Sequence, residues 1–132
     1  MSKRAQRRNT ESLSILEERK HLLTQKDDFF TQEAYKTLRS NIIFSLTGEE
    51  GNKIIQVTSA MVSEGKSITS VNLAISFAQT DRKVLLIDCD LRRPKLASLL
   101  SLGANVGLSN VLVDPTLLEL AIIPTTVPNL SV

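Results

Sequence analysis

A chain of 132 residues, 42% hydrophobic and 23% charged, has the make-up of one modest α/β domain. Sixteen Lys and Arg against fourteen Asp and Glu leave a net charge of +2, too small to argue for a nucleic-acid partner. No apolar run approaches the roughly 18 residues of a transmembrane helix, nothing resembles a signal peptide, and the single cysteine, Cys89, has no internal partner, so a reducing cytoplasmic setting is expected.

Residues 1–10 read as a tail. Lys3, Arg4, Arg7 and Arg8 precede the first acid, a run that fits either a solvated tail or an anionic membrane surface. Leu13, Leu16 and Leu23 give residues 11–26 a weak helical pattern. Residues 1–28 are therefore expected to be a basic flexible tail with a short helix. His21, solitary in a polar stretch, reads as a surface residue. From about Thr31 to Leu46, the residues Tyr35, Leu38, Ile42 and Leu46 recur at spacings of three and four, which predicts an amphipathic helix. Glu33, Lys36 and Arg39 share a sector of roughly 120° on it, explained equally by a solvated face or by a subunit contact. The stretch 47–52, with Gly48 and Gly51, breaks the helix.

A strand is expected over 53–58, then a loop, then a helix over roughly 66–80 with Ile68, Val71, Ile75 and Ala78 on one face. Arg82 and Lys83 lead into a second strand, Val84 to Ile87, apolar on both faces as a central parallel strand covered by helices should be. Leu96 to Leu102, Gly107 to Val113 and Leu117 to Ile122 look like short helical pieces, and Asn129 to Val132 opens a third strand. Strand–helix–strand order implies parallel pairing with a right-handed crossover. The expected fold class is α/β, a P-loop NTPase-like parallel sheet with flanking helices, over residues 29–132.

Two segments carry chemistry. The run Ile54-Ile55-Gln56-Val57 feeds a turn that ends in Gly65-Lys66-Ser67 and opens a helix, the context a phosphate-binding loop requires. In such a loop backbone N–H groups point at a phosphate, the helix N-terminus adds positive potential, and the lysine ammonium reaches the outer phosphates. Val62, Ser63, Glu64, Gly65 and Lys66 are expected to form the cradle, with Ser67 and Ile68 in the first helical turn. Ser67 would offer its hydroxyl to Mg²⁺. The competing reading is an ordinary strand-to-helix turn, and Ala60 stands where the pattern usually opens on glycine.

The second segment is Asp88-Cys89-Asp90, just past the second strand, where open parallel sheets bind ligands. Alternation along an extended chain puts both carboxylates on one side and Cys89 on the other. Such a pair can hold Mg²⁺ through water or accept the proton of an attacking hydroxyl. Alternatively, one caps the following turn and the other pairs with Arg92 or Arg93. Cys89 reads as a small buried packing residue rather than a nucleophile.

Val57 to Ala74 resembles the Walker A segment of bacterial tyrosine kinases, and Lys83 to Pro94, with its Asp-x-Asp-Leu-Arg-Arg-Pro ending, is similar to their Walker A′ motif. Gly107 to Leu112 resembles the family's Gly-Leu-Ser-x-Val-Leu segment. Glu33 to Arg39 resembles the Glu-x-x-Arg-x-x-Arg helix through which these kinases assemble into rings. The four motifs fall in the family's order over about residues 30 to 132. The resemblance implies a cytoplasmic kinase of capsule and exopolysaccharide synthesis that uses ATP and Mg²⁺ to phosphorylate tyrosines on its own tail and on neighbouring proteins. In the Gram-positive type the kinase is a separate chain, activated by the cytoplasmic end of a transmembrane partner and so peripheral to the membrane.

Carried over by position, Lys66 would bind the β- and γ-phosphates and Ser67 would ligate Mg²⁺. Asp88 would assist Mg²⁺ binding and activate the tyrosine hydroxyl, with Asp90 in support. Glu33, Lys36 and Arg39 would make the homo-oligomer contact, although Lys36 replaces an arginine and loses its bidentate fork. Ser63 stands at a position often occupied by glycine. The family's Walker B strand and C-terminal tyrosine cluster have no counterpart here, and Tyr35, the one tyrosine, is expected to serve packing. The chain is accordingly expected to be a truncated kinase or a fragment, poorly stable and weakly active alone. Two other readings stand beside this one. One is a ParA/MinD-type ATPase, whose loop carries an extra lysine where this chain has Met61. The other is a non-catalytic remnant that binds nucleotide or the membrane activator.

Overall fold

The computed structural model describes residues 13–23, 29–46, 51–103 and 105–132. The basic run at residues 3–8 and most of the helix-breaking stretch 47–52 lie outside the described residues. In chain order the elements are α1 (residues 13–19), α2 (Phe29–Ser45), α3 (Lys66–Ala78), β1 (Val84–Leu85) and α4 (Leu96–Leu99). There follow α5 (Leu108–Val113), a 3-10 turn (Pro115–Leu117), α6 (Leu118–Ala121) and β2 (Leu130–Ser131).

Helix α3 is the centre of the fold. After Lys66 its sequence carries no charge, and every residue from Val71 to Ser76 is buried, as a helix without a polar face requires. Val71, Ala74, Ile75 and Ala78 join Leu23, Leu96, Leu99 and Leu130 in one core. Each such Val, Leu or Ile contributes on the order of 1.5–3 kcal/mol by leaving water. Helix α2 lies along α3, with Tyr35 packed against the core as expected, and the sheet lies on α3 as well. Residues 13–23 are part of the same body: Leu23 is buried, and Ile15 and Leu22 pack on the core.

β1 pairs in parallel with β2, Val84 opposite Leu130 and Leu85 opposite Ser131. Val84 N–H donates to the Asn129 carbonyl and Leu86 N–H to that of Ser131, both at 2.8 Å. The third strand anticipated at 129–132 is thus present. On its other edge β2 meets Pro124 across an antiparallel bridge, with Ile123 and Val132 exchanging both backbone bonds at 2.8 and 2.9 Å. Proline is tolerated there because the ladder uses the N–H groups on either side of it.

Two expectations about strands need correction. Residues 52–59 carry no regular secondary structure, and Ile54 is 94% exposed. An extended segment becomes a strand only when a neighbour accepts its ladder bonds, and among the described residues β1 is paired with β2 instead. Nor is β1 covered on both faces. Val84 and Leu86 pack on the core while Leu85 and Ile87 are 47% and 54% exposed, because α3 covers one side only.

The connection between α3 and β1 positions the site. Residues 79–83 join the helix to the strand on which it packs, turning through Asp81 in the left-handed region at φ 57°. So short a link makes α3 run antiparallel to β1. The N-terminal end of α3, with Lys66, therefore lies towards the end of the sheet from which Asp88 emerges.

Candidate nucleotide site

The loop before α3 reaches the helix through two left-handed residues, Ser63 at φ 64° and Gly65 at φ 81°. Only glycine adopts this conformation without strain. A Cβ placed at Gly65 would meet nothing within 4 Å, so the position needs glycine for its backbone and opens on free space. Gly65 is the helix N-cap and no side chain caps it. Thr69 N–H donates to the Gly65 carbonyl at 2.9 Å, which leaves the N–H groups of Lys66, Ser67 and Ile68 without an acceptor inside the helix. Lys66 is exposed and, among the described residues, makes no side-chain hydrogen bond or ion pair. Three free amides beside an unpaired ammonium form a donor set that suits a polyphosphate. Upstream, Ser59 Oγ donates to the Met61 carbonyl and Met61 N–H donates to Glu64 Oε2, both at 3.0 Å, folding the loop on itself.

Asp88 is half-buried and accepts three backbone hydrogen bonds. Its Oδ2 accepts from the N–H groups of Lys95 at 2.9 Å and Leu96 at 3.0 Å, and its Oδ1 accepts from Asp90 N–H at 3.1 Å. Asp90, exposed, accepts from Arg93 N–H at 3.0 Å through Oδ1. Both carboxylates therefore cap turns, the structural role weighed for one of them. Each Asp88 oxygen has two lone pairs, and Oδ1 uses one, so capacity for a cation or a water remains. Cys89 is exposed between them, which corrects the expectation of a buried packing residue: the chain has left the sheet before reaching it.

The trio on α2 divides. Glu33 and Lys36 pair with each other at 2.7 Å, and half-buried Arg39 turns inward, donating through Nη1 to the carbonyl and hydroxyl oxygens of Ser76 at 2.5 and 3.0 Å. Among the described residues no three His, Cys, Asp or Glu gather as a metal cluster, and no helix is long and apolar enough to cross a membrane.

Sequence reasoning passed over Asn72. It is 2% exposed, accepts from Leu23 N–H at 2.6 Å, and donates to the His21 carbonyl at 2.8 Å and the Tyr35 hydroxyl at 3.2 Å. The signal was an amide in the uncharged stretch of the helix after Lys66, between Val71 and Leu73.

Residues 55–110 match the family model of the CobQ/CobB/MinD/ParA nucleotide binding domain. Tyrosine-protein kinase YwqD of Bacillus subtilis (strain 168) is 44% identical over 90 residues, 68% of this chain and 38% of that protein. The chain is homologous to bacterial tyrosine-protein kinases. The BceF tyrosine kinase domain shares its fold with a TM-score of 0.66 at 36% identity, over 76% of this chain and 39% of that one. The chimerical protein CapA2B2 does so with a TM-score of 0.71 at 32% identity, over 81% of this chain and 46% of that one. The chain spans about two-fifths of the length of YwqD and less than half of the other relatives it matches.

Proposed function

We propose that the chain supplies the nucleotide-binding part of an ATP-dependent protein-tyrosine kinase of capsule or exopolysaccharide synthesis. The observation that carries this reading is the donor set at the start of α3, where the amides of Lys66, Ser67 and Ile68 have no acceptor inside the helix and the exposed Lys66 ammonium makes no side-chain bond among the described residues. In that role the loop from Val62 to Lys66 wraps the phosphates, Lys66 neutralises charge on the β- and γ-groups, and Ser67 and Asp88 are the residues that hold Mg²⁺. Bound Mg²⁺ would supply charge neutralisation for phosphoryl transfer, in which positioning and electrostatics carry most of the catalysis. Asp88 keeps one open lone pair on Oδ1, so holding Mg²⁺ and accepting the tyrosine proton would fall to it in turn rather than together, with Asp90 fixing the turn behind it.

Tyrosine-bearing proteins are the substrates this chemistry takes. A transmembrane activator is the partner, holding the chain at the cytoplasmic side of the membrane. Self-association through Glu33, Lys36 and Arg39 would require Arg39 to leave Ser76. Calorimetry with Mg·ATP and Mg·ADP tests the reading. Binding should be measurable and should fall about 10- to 100-fold in Lys66→Met, the worth of a charge-assisted contact. No heat from a folded sample, or an unchanged affinity in the variant, overturns it. Phosphotyrosine blotting with Mg·ATP, an activator tail and a tyrosine-bearing acceptor then separates a kinase from a binding remnant. The ParA/MinD-type reading is favoured instead if the chain binds DNA or lipid in an ATP-dependent way; Met61 speaks against it.

A further inference from the structure

Helix α4 is a single turn, and α1 grips both of its ends. At the N-terminal end Glu18 Oε1 accepts from Lys95 Nζ at 2.9 Å. At the C-terminal end the Arg19 guanidinium donates to the Ser98 carbonyl, Nε at 3.2 Å with Nη2 alongside. The Ser98 carbonyl also accepts from Ser101 N–H at 3.2 Å, and a cation there meets the negative end of the turn's peptide dipoles. The first amides of the same turn, Lys95 and Leu96, are the ones that hold Asp88 Oδ2. One turn has almost no helical stability of its own; burial of Leu96 and Leu99 seats it in the core, and the α1 side chains hold its two ends. On the other side, α1 is continuous with His21 and Leu23, which Asn72 fastens to the phosphate-loop helix.

We propose that Glu18 and Arg19 are positioning residues for Asp88: α1 clamps α4, and α4 aims the carboxylate. The functional half of this rests on the reading of Asp88 as a Mg²⁺ residue; the mechanical half does not. Neither Glu18 nor Arg19 belongs to the binding loop, and changing them removes only side chains from the face of α1.

The test uses the full chain with Arg19→Met, Arg19→Lys and the double change Glu18→Gln/Arg19→Met. Residue-resolved hydrogen exchange is combined with Mg²⁺ titrations of fluorescent ATP binding. In the double variant the Lys95 and Leu96 amides should exchange at least about ten-fold faster, while Val71 and Ile75 in α3 keep their protection. The Mg²⁺ concentration for half-maximal binding should rise about ten-fold, as outer-shell changes do to metal sites, with Mg²⁺-free nucleotide affinity unchanged. Arg19→Lys should restore most of both, since one ammonium can still reach the Ser98 carbonyl. Unchanged exchange at Lys95 and Leu96 overturns the proposal. So does faster exchange with an unmoved Mg²⁺ midpoint, or an equal loss of Mg²⁺-free and Mg²⁺-dependent binding. A folded wild-type chain that binds no nucleotide sinks the kinase reading instead, and the exchange arm alone then decides whether α1 holds Asp88.

Discussion

Replacing Asn72 by Ala should be the most damaging single polar change in this chain. Its side chain satisfies three groups, but they are not equal. Leu23 is 6% exposed, so its N–H, now bonded to Asn72 Oδ1 at 2.6 Å, has no access to water once the amide is gone. His21 is exposed and its carbonyl can turn to solvent, and the half-buried Tyr35 hydroxyl can do the same. The dominant cost is one stranded buried donor, about 1–3 kcal/mol. Three heavy atoms also leave a fully packed site, which adds a partial cavity cost at about 24 cal/mol per Å³ of residual void. Together these place the loss at about 2–4 kcal/mol, a large fraction of a stability that for small domains is about 5–15 kcal/mol. Urea unfolding followed by circular dichroism reads this as a midpoint lower by about 0.7–4 M, given slopes of about 1–3 kcal/mol per M. A loss below about 0.5 kcal/mol would mean that residues 21–23 do not dock on α3 in solution, and the reasoning about the clamp would fail with it.

Other expectations follow from single residues. Ser63→Gly removes a left-handed penalty of about 1–2 kcal/mol for a residue at φ 64°, offset by the roughly 0.5–1 kcal/mol that glycine loses on ordering, so thermal unfolding should show a small stabilisation; a clear destabilisation refutes the loop geometry. Asp114 accepts from the Thr116 hydroxyl at 2.6 Å and from its N–H at 3.0 Å, which holds its carboxyl below the ordinary 3.8. A depressed carboxylate contributes stability above its unfolded pKa and loses it as pH falls through the folded one, so the Pro115–Leu117 turn should loosen only under acid conditions. NMR titration of the Thr116 amide checks this, and Thr116→Val should move the Asp114 midpoint upward; a midpoint that stays put contradicts the assignment. Ile87→Lys should reduce dye binding and self-association by at least two-fold while leaving the unfolding midpoint within about 0.5 kcal/mol, because Ile87 is 54% exposed on the uncovered face of the sheet. A large stability loss there would show that this face is buried in solution.

Much of the molecule was legible residue by residue, because its determinants are local. Spacings of three and four set α2 and the apolar face of α3, and Gly65 ahead of Lys66 sets the helix start and its open donors. The short pieces α4, α5 and α6 and the β2 strand fell close to where turn residues and apolar runs placed them. A chain of backbone conformations obeys nearest-neighbour rules, and a motif made of adjacent residues can be read from them. What only the tertiary structure decided are the partnerships between distant residues. Leu23 meets Asn72 across 49 positions and Arg19 meets Ser98 across 79. Arg39 spends its guanidinium on Ser76, Asp88 on the amides of a helix several residues away, and the stretch 53–58 stays unpaired although its composition suits a strand. Which strand finds a neighbour, and which polar side chain goes inward, depends on what surface is left to cover once the helices have packed. That is a property of the assembled core, and no local pattern carries it.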